Sequence, residues 1–143
     1  MVVASEAGIP DASAIPCSVL FVEDDELVSE VVVPGLRSNG FEVVRARDAS
    51  SALEAMKEHD IDVVLSDIVM PGRGDGFYLA DEIRKKYADV PIVLATGSSD
   101  ALTASSPFRV LLKPYTINEA IAALNHERRR FKGGTRAGRT DAG

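Results

Sequence analysis

Five residue types able to do chemistry stand where short apolar runs stop. Val19–Val22 gives way to Glu23 and Asp24, Val63–Leu65 closes on Ser66 and Asp67, Ile92 onward ends in Thr96, and Phe108–Leu112 is followed by Lys113. Brought together, the three carboxylates, the Thr96 hydroxyl and the Lys113 ammonium suit a particular reaction. Carboxylates gathered without a counter-charge repel each other, raise the pKa of at least one of them and destabilise the folded form, so a cation belongs among them. A hard divalent ion takes oxygen ligands and keeps several waters, which suits Mg²⁺, with Mn²⁺ able to substitute, better than zinc. The space left then favours a phosphoryl group. The metal and Lys113 neutralise its oxygens, Thr96 donates a hydrogen bond, and a carboxylate oxygen attacks phosphorus; phosphoryl transfer mainly requires such positioning and charge stabilisation. Asp67 is the best nucleophile, with an aspartyl phosphate as the covalent product.

The elements that must position this set read clearly from the pattern. Val19–Val22 is a continuous apolar run of the kind buried on both faces in a parallel sheet, and similar runs recur at Phe41–Ala46, Val63–Leu65, Ile92–Thr96 and Phe108–Leu112. Helical stripes lie between them. Ala49, Ala52, Leu53 and Met56 follow Asp48 as a cap; Leu79, Ala80, Ile83 and Tyr87 follow Gly76; Ile117, Ala120, Ile121 and Leu124 follow a Thr116/Glu119 capping box. A helix from Glu26 to Ser38 contains Pro34 and Gly35, and the lost hydrogen bond predicts a kink or an early end near Val33. Between Thr96 and Phe108 only eleven residues intervene, so any helix there is short. Strands alternating with helices predict an α/β fold with a parallel sheet covered on both faces. In such sheets ligands bind beyond the carboxyl ends of the strands, where the chemically active residues stand. Either Asp24 or Asp25 could instead cap the first helix, and Lys113 before Pro114 could be an ordinary turn.

Composition sets the outer limits. The chain has 143 residues, 45% apolar and 27% charged, which fits one globular domain. Residues 1–16 read as a loose leader, 17–130 as the domain and 131–143 as a basic tail. No apolar run is long enough to span a membrane, and no cationic segment precedes an apolar one at the N-terminus, so a cytoplasmic protein is expected. From His126 onward six basic residues face two acidic ones, a net +4, leaving −10 on residues 1–125 out of a total of −6. So acidic a body is a poor partner for nucleic acid. Cys17 is the only cysteine and excludes an internal disulfide; it reads as a half-buried thiol. His59 and His126 read as exposed helix residues with no ligand role.

Val22-Glu23-Asp24-Asp25, Asp67-Ile68-Val69-Met70-Pro71-Gly72, Asp75-Gly76, Thr96-Gly97 and Lys113-Pro114-Tyr115 occur in order and with fitting spacing over about residues 18–126. Together they resemble the receiver domain of bacterial two-component response regulators. The resemblance implies a flavodoxin-like (βα)₅ three-layer sandwich, with a five-stranded parallel sheet of order 2-1-3-4-5 and here a shortened fourth helix. It implies that Asp67 accepts a phosphoryl group from a phosphohistidine of a histidine kinase or phosphotransfer protein. Mg²⁺ would be bound by Asp24, Asp67 and the backbone carbonyl of Val69, with Glu23 acting through water. Lys113 would pair with the phosphoryl group, the Lys113–Pro114 peptide would be cis, and Thr96 would move toward the phosphate.

The chain departs from the family pattern in several places. The position three before the lysine, usually aromatic, is Val110, with Phe108 two residues earlier. The loop between Met70-Pro71 and Asp75-Gly76 is one residue longer than the family pattern, with Arg73 and Gly74 inserted, and its Arg73 either contacts a partner or is solvated. Val69 cannot orient an attacking water and Ser98 can do so only weakly, so slow self-dephosphorylation is expected. The basic, Gly-rich stretch after the last helix is too short and polar to bury a core, so no output domain is expected there. The expected role is therefore a stand-alone receiver, monomeric or weakly dimeric, that signals by binding a further protein; the alternative is a pseudo-receiver that acts as a scaffold without phosphorylation. A haloacid-dehalogenase-type phosphatase would need a second acid where Val69 stands. A flavodoxin would need a phosphate loop where Asp24 and Asp25 would repel the flavin phosphate.

Overall fold

A computed structural model describes residues 16–70, 72, 75–98 and 107–131. Five strands, β1 (Ser18–Val22), β2 (Glu42–Ala46), β3 (Val63–Asp67), β4 (Ile92–Thr96) and β5 (Arg109–Leu112), form one parallel sheet of order β2-β1-β3-β4-β5. Four helices are present among the described residues: α1 (Glu26–Ser38), α2 (Ala49–Glu58), α3 (Gly76–Lys86) and α4 (Ile117–Arg130). The segment 99–106, where a shortened helix was expected, lies outside the described residues, as does Arg73. No described helix is long and apolar enough to cross a membrane.

Burial explains which runs alternate and which do not. The three inner strands are covered on both faces: β3 and β4 are buried throughout and β1 from Val19 onward. Leu20, Val22, Val64 and Leu94 pack toward α2 and α3, while Val19, Phe21, Val63 and Val93 pack toward α1 and α4. The two edge strands differ: β2 exposes Glu42, and β5 has no fully buried residue although three of its four residues are apolar. Each edge strand also begins one residue later than its apolar run, because Phe41 and Phe108 are buried before pairing starts.

The helix expected to break near Val33 does not end there; α1 continues through Pro34 to Ser38. Pro34 lies on the exposed side, where water can take the carbonyl left without a partner, while Val32 and Leu36 on the inner side are buried and hold the helix to the sheet. Gly35 backs onto α4, where an added Cβ would lie 2.7 Å from Cδ1 and Cγ1 of Ile117. Those atoms form the movable end of a side chain. Gly35→Ala should therefore shift the unfolding free energy by less than about 1 kcal/mol, since the helix-propensity gain of about 1 kcal/mol offsets the rotation of Ile117. Urea denaturation checks this; a loss well beyond that value would mean that Ile117 cannot move.

Candidate functional site

The chain runs from β1 outward to β2, then returns across β1 to β3, so strand order reverses between β1 and β3. A crevice opens at the carboxyl ends of those strands. Register carries the chemistry to one level: Val22 pairs with Ser66, Asp67 with Ala95 and Thr96 with Leu112. The residues at or just after these pairs are Glu23, Asp67, Thr96 and Lys113.

The structure brings the set together. One carboxylate oxygen from each of Glu23, Asp24 and Asp67 lies within 4.8 Å of the other two. The Lys113 ammonium sits 2.7 Å from Oδ1 of Asp67 and 3.1 Å from Oε1 of Glu23. The cleft over them, about 450 Å³, is also walled by Asp25, Val69, Met70, Thr96 and Gly97. The capping question is settled by geometry: the Asp25 side chain accepts hydrogen bonds from the Leu27 and Val28 N–H groups at 2.8 and 3.3 Å. Asp24 is thereby left to the acidic cluster. The Asp25 N–H in turn donates to Oε2 of Glu23 at 3.2 Å. Thr96 is buried, and its Oγ1 accepts from the Ser98 N–H at 3.1 Å. The Lys113–Pro114 peptide is cis.

Electrostatics follow from this packing. Burial, with the negative charge of Glu23 adding to it, pushes the Asp67 carboxyl up to about 6 although Lys113 pulls the other way. Burial alone would lower the Lys113 ammonium, but its hydrogen bonds to Asp67 and Glu23 outweigh that and raise it. Burial also raises the Tyr115 phenol, whose hydroxyl has no hydrogen-bond partner among the described residues, and the fields of Glu23 and Asp67 add to the effect. The donor set consists only of carboxylate oxygens, closely spaced and incompletely neutralised by one ammonium. It fits a hard divalent cation and offers nothing to a thiophilic one.

Around this centre, Val69 is exposed and lines the cleft with no polar side-chain atom. Val110 is half-buried against the α2/α3 side of the core, and the buried Phe108 ring carries the Arg84 guanidinium 4.4 Å from its centroid. His59 and His126 are exposed.

Three supporting residues escape a sequence reading. Gly76 opens α3 and looks like an ordinary first helical residue, yet a Cβ there would collide with the Asp67 carbonyl oxygen and lie 2.7 Å from Cα of Ile68. Arg45 lies on edge strand β2 and reaches the backbone of Glu23. Glu127 is buried in the last turns of α4, paired with Arg130 at 2.7 Å and hydrogen-bonded to His126 at 3.1 Å. No local pattern marks the Gly76 and Arg45 contacts, which depend on other elements, and the charge run around Glu127 masks its helical spacing from Ala120, Ala123 and Leu124.

Residues 19–125 match the family model of the response regulator receiver domain. Among solved structures, the chemotaxis response regulator CheY4 of Vibrio cholerae is 26% identical, with a TM-score of 0.67, over 78% of this chain and 98% of that one. NtrX from Brucella abortus is 29% identical, with a TM-score of 0.75, over 82% of this chain but only 28% of its own. A two component transcriptional regulator AraC from Clostridium phytofermentans is 28% identical, with a TM-score of 0.69, over 79% of this chain and 92% of its own.

Proposed function

The chain belongs to the response regulator receiver domain family, and from that premise we propose that Asp67 takes a phosphoryl group from the phosphohistidine of a histidine kinase or phosphotransfer protein and that the phosphorylated form signals by binding another protein. Membership itself implies phosphoryl acceptance in two-component signalling. The observation that carries the assignment to Asp67 is its place at the end of β3, 2.7 Å from the one ammonium in a cluster of three carboxylates.

Each side chain has a definite task. Asp67 forms the new oxygen–phosphorus bond through a carboxylate oxygen. The phosphorus–nitrogen bond of the donor breaks, and the imidazole leaves with its electron pair and takes up a proton from water. Lys113 turns from the carboxylates to the phosphoryl oxygens as their charge increases, and the Thr96 hydroxyl donates to one of them. Asp24, Asp67 and the Val69 carbonyl would hold Mg²⁺, with Glu23 acting through water, and the ion would neutralise phosphoryl oxygens. Phosphorylation adds roughly −1.5 to −2 charges to an acidic site, so the response comes from new contacts to Thr96 and Lys113 rather than from the charge alone. A protein donor is favoured by the apolar side chains Leu27, Val31 and Val69, all at least 66% exposed; Leu27 and Val31 line a groove running to Pro114 and Tyr115, and Val69 lines the cleft.

The test is intact mass after incubation of the full chain with acetyl phosphate. A single phosphoryl adduct is expected with Mg²⁺ present, none in EDTA and none in Asp67→Asn. No adduct on the native chain would remove the reading. Since Val69 offers no group to orient water, the adduct should persist for minutes or longer after the donor is removed; loss within seconds would contradict this role for Val69.

A further inference from the structure

Glu23 is tied to the rest of the molecule through every polar atom it has. Its N–H donates to the Ala46 carbonyl at 3.0 Å, its Oε2 accepts from the Asp25 N–H, and its Oε1 accepts from Lys113. The remaining atom is the backbone carbonyl oxygen, which belongs to the peptide joining Glu23 to Asp24. Arg45 on β2 takes it twice, through Nε at 3.2 Å and Nη2 at 2.7 Å. The third nitrogen, Nη1, reaches Oε1 of Glu26 in the first turn of α1 at 3.0 Å, and Arg47 holds the other oxygen of Glu26. One half-buried guanidinium thus joins the end of β1, the loop bearing the acidic pair and the start of α1.

We infer that Arg45 is a positioning residue for the cation site: by gripping the Glu23–Asp24 peptide it holds both carboxylates at cation-binding separation from Asp67. This rests on the reading that the cluster takes Mg²⁺. Rotation of that single peptide would re-aim Asp24, and mutual repulsion among the acids drives such a rotation whenever Lys113 turns away. The guanidinium is planar and always charged, and it presents several donors in a fixed fork, so it can serve one carbonyl and one carboxylate at once. A lysine ammonium at the same position can serve one or the other. The grip acts on the backbone and leaves both acidic side chains open to the cleft.

Calorimetric titration of the full unphosphorylated chain with Mg²⁺, alongside thermal unfolding in EDTA, tests the assignment. Arg45→Met keeps the aliphatic stem and should weaken Mg²⁺ binding about tenfold, the lower end of what loss of a ligand-orienting group causes. Arg45→Lys should fall between Arg45→Met and the native chain. Glu26→Gln removes the exposed ion pair but leaves the carbonyl grip, and should change Mg²⁺ affinity less than about twofold. Unfolding midpoints of all three in EDTA should lie close together. Native-like Mg²⁺ affinity in Arg45→Met would overturn the inference, as would a loss in Glu26→Gln equal to that in Arg45→Met. So would a fall in the EDTA midpoint with Mg²⁺ affinity retained in Arg45→Lys. A native chain that binds no Mg²⁺ would overturn both this inference and the proposed function, whereas the other outcomes touch the inference alone.

Discussion

The Asp67→Asn protein should resist unfolding better than the native chain at pH 8 in EDTA, by about 2 kcal/mol, while accepting no phosphoryl group. The Asp67 carboxyl is buried beside Glu23 and is raised from 3.8 to about 6 despite its contact with Lys113. A raised carboxylate means that the folded protein holds more protons than the unfolded chain between about pH 4 and 6. Stability therefore falls as pH rises through that window, and the whole shift corresponds to about 3 kcal/mol. An asparagine amide resembles the neutral acid and escapes that loss; the attraction of Lys113 is already contained in the shift, and screening by water at the open cleft lowers the net gain to about 2 kcal/mol. The raised Lys113 likewise contributes stability that is lost as pH rises, but only above the usual lysine range, outside this window. Urea denaturation at pH 4 and pH 8 distinguishes the cases. The two proteins should converge at pH 4 and separate at pH 8. Lower stability of the asparagine protein at pH 8 would mean that the Lys113 contact outweighs burial and that Asp67 is not under electrostatic stress.

That stress was legible in the sequence, because it follows from residue types at strand ends. Apolar runs that stop on Glu23, Asp67, Thr96 and Lys113 specify a parallel sheet and place its reactive edge, whereas the sheet order is implied only by the family resemblance that the motifs carry. Most of what stayed hidden depends on the partner of a residue rather than on its own type. The sequence offers Asp24 and Asp25 as equal caps, and only the backbone path of the turn gives the cap to Asp25. Pro34 predicts an interruption by local rules, yet inward packing of Val32 and Leu36 keeps α1 continuous. Arg45 reads as one more polar residue on an edge strand, because its value lies in a carbonyl 22 residues away. Glu127 reads as part of an exposed charge run but is buried, since the periodicity of Ala120, Ala123 and Leu124 carries it to the inner face.

Gly76 gives the other large effect. Gly76→Ala should cost about 3 kcal/mol of stability, at the upper end of overpacking, and should slow phosphoryl acceptance. At an ordinary helical position the same change would stabilise by about 0.4–1 kcal/mol, because alanine restricts the unfolded chain. The sign is therefore diagnostic. Gly76 carries no positive φ, so backbone conformation does not demand glycine there; the demand comes from close approach. An added Cβ would meet the Asp67 carbonyl oxygen and the Ile68 Cα, both backbone atoms that no rotamer change can move. The Gly76 N–H also donates to the Ile68 carbonyl at 2.7 Å, holding the start of α3 against the end of β3. Relief requires either that α3 withdraw, exposing the buried Leu79 and Ala80, or that the Asp67 backbone shift. Both paths disturb the alignment of Asp67 with Lys113. Gly35→Ala is the internal comparison, since the atoms it would meet belong to a side chain that can turn. Urea midpoints for the two variants, together with the rate at which acetyl phosphate yields the adduct, decide the matter. A neutral or stabilising Gly76→Ala with an unchanged rate would show that the α3–β3 junction gives way without cost and does not hold Asp67 in place.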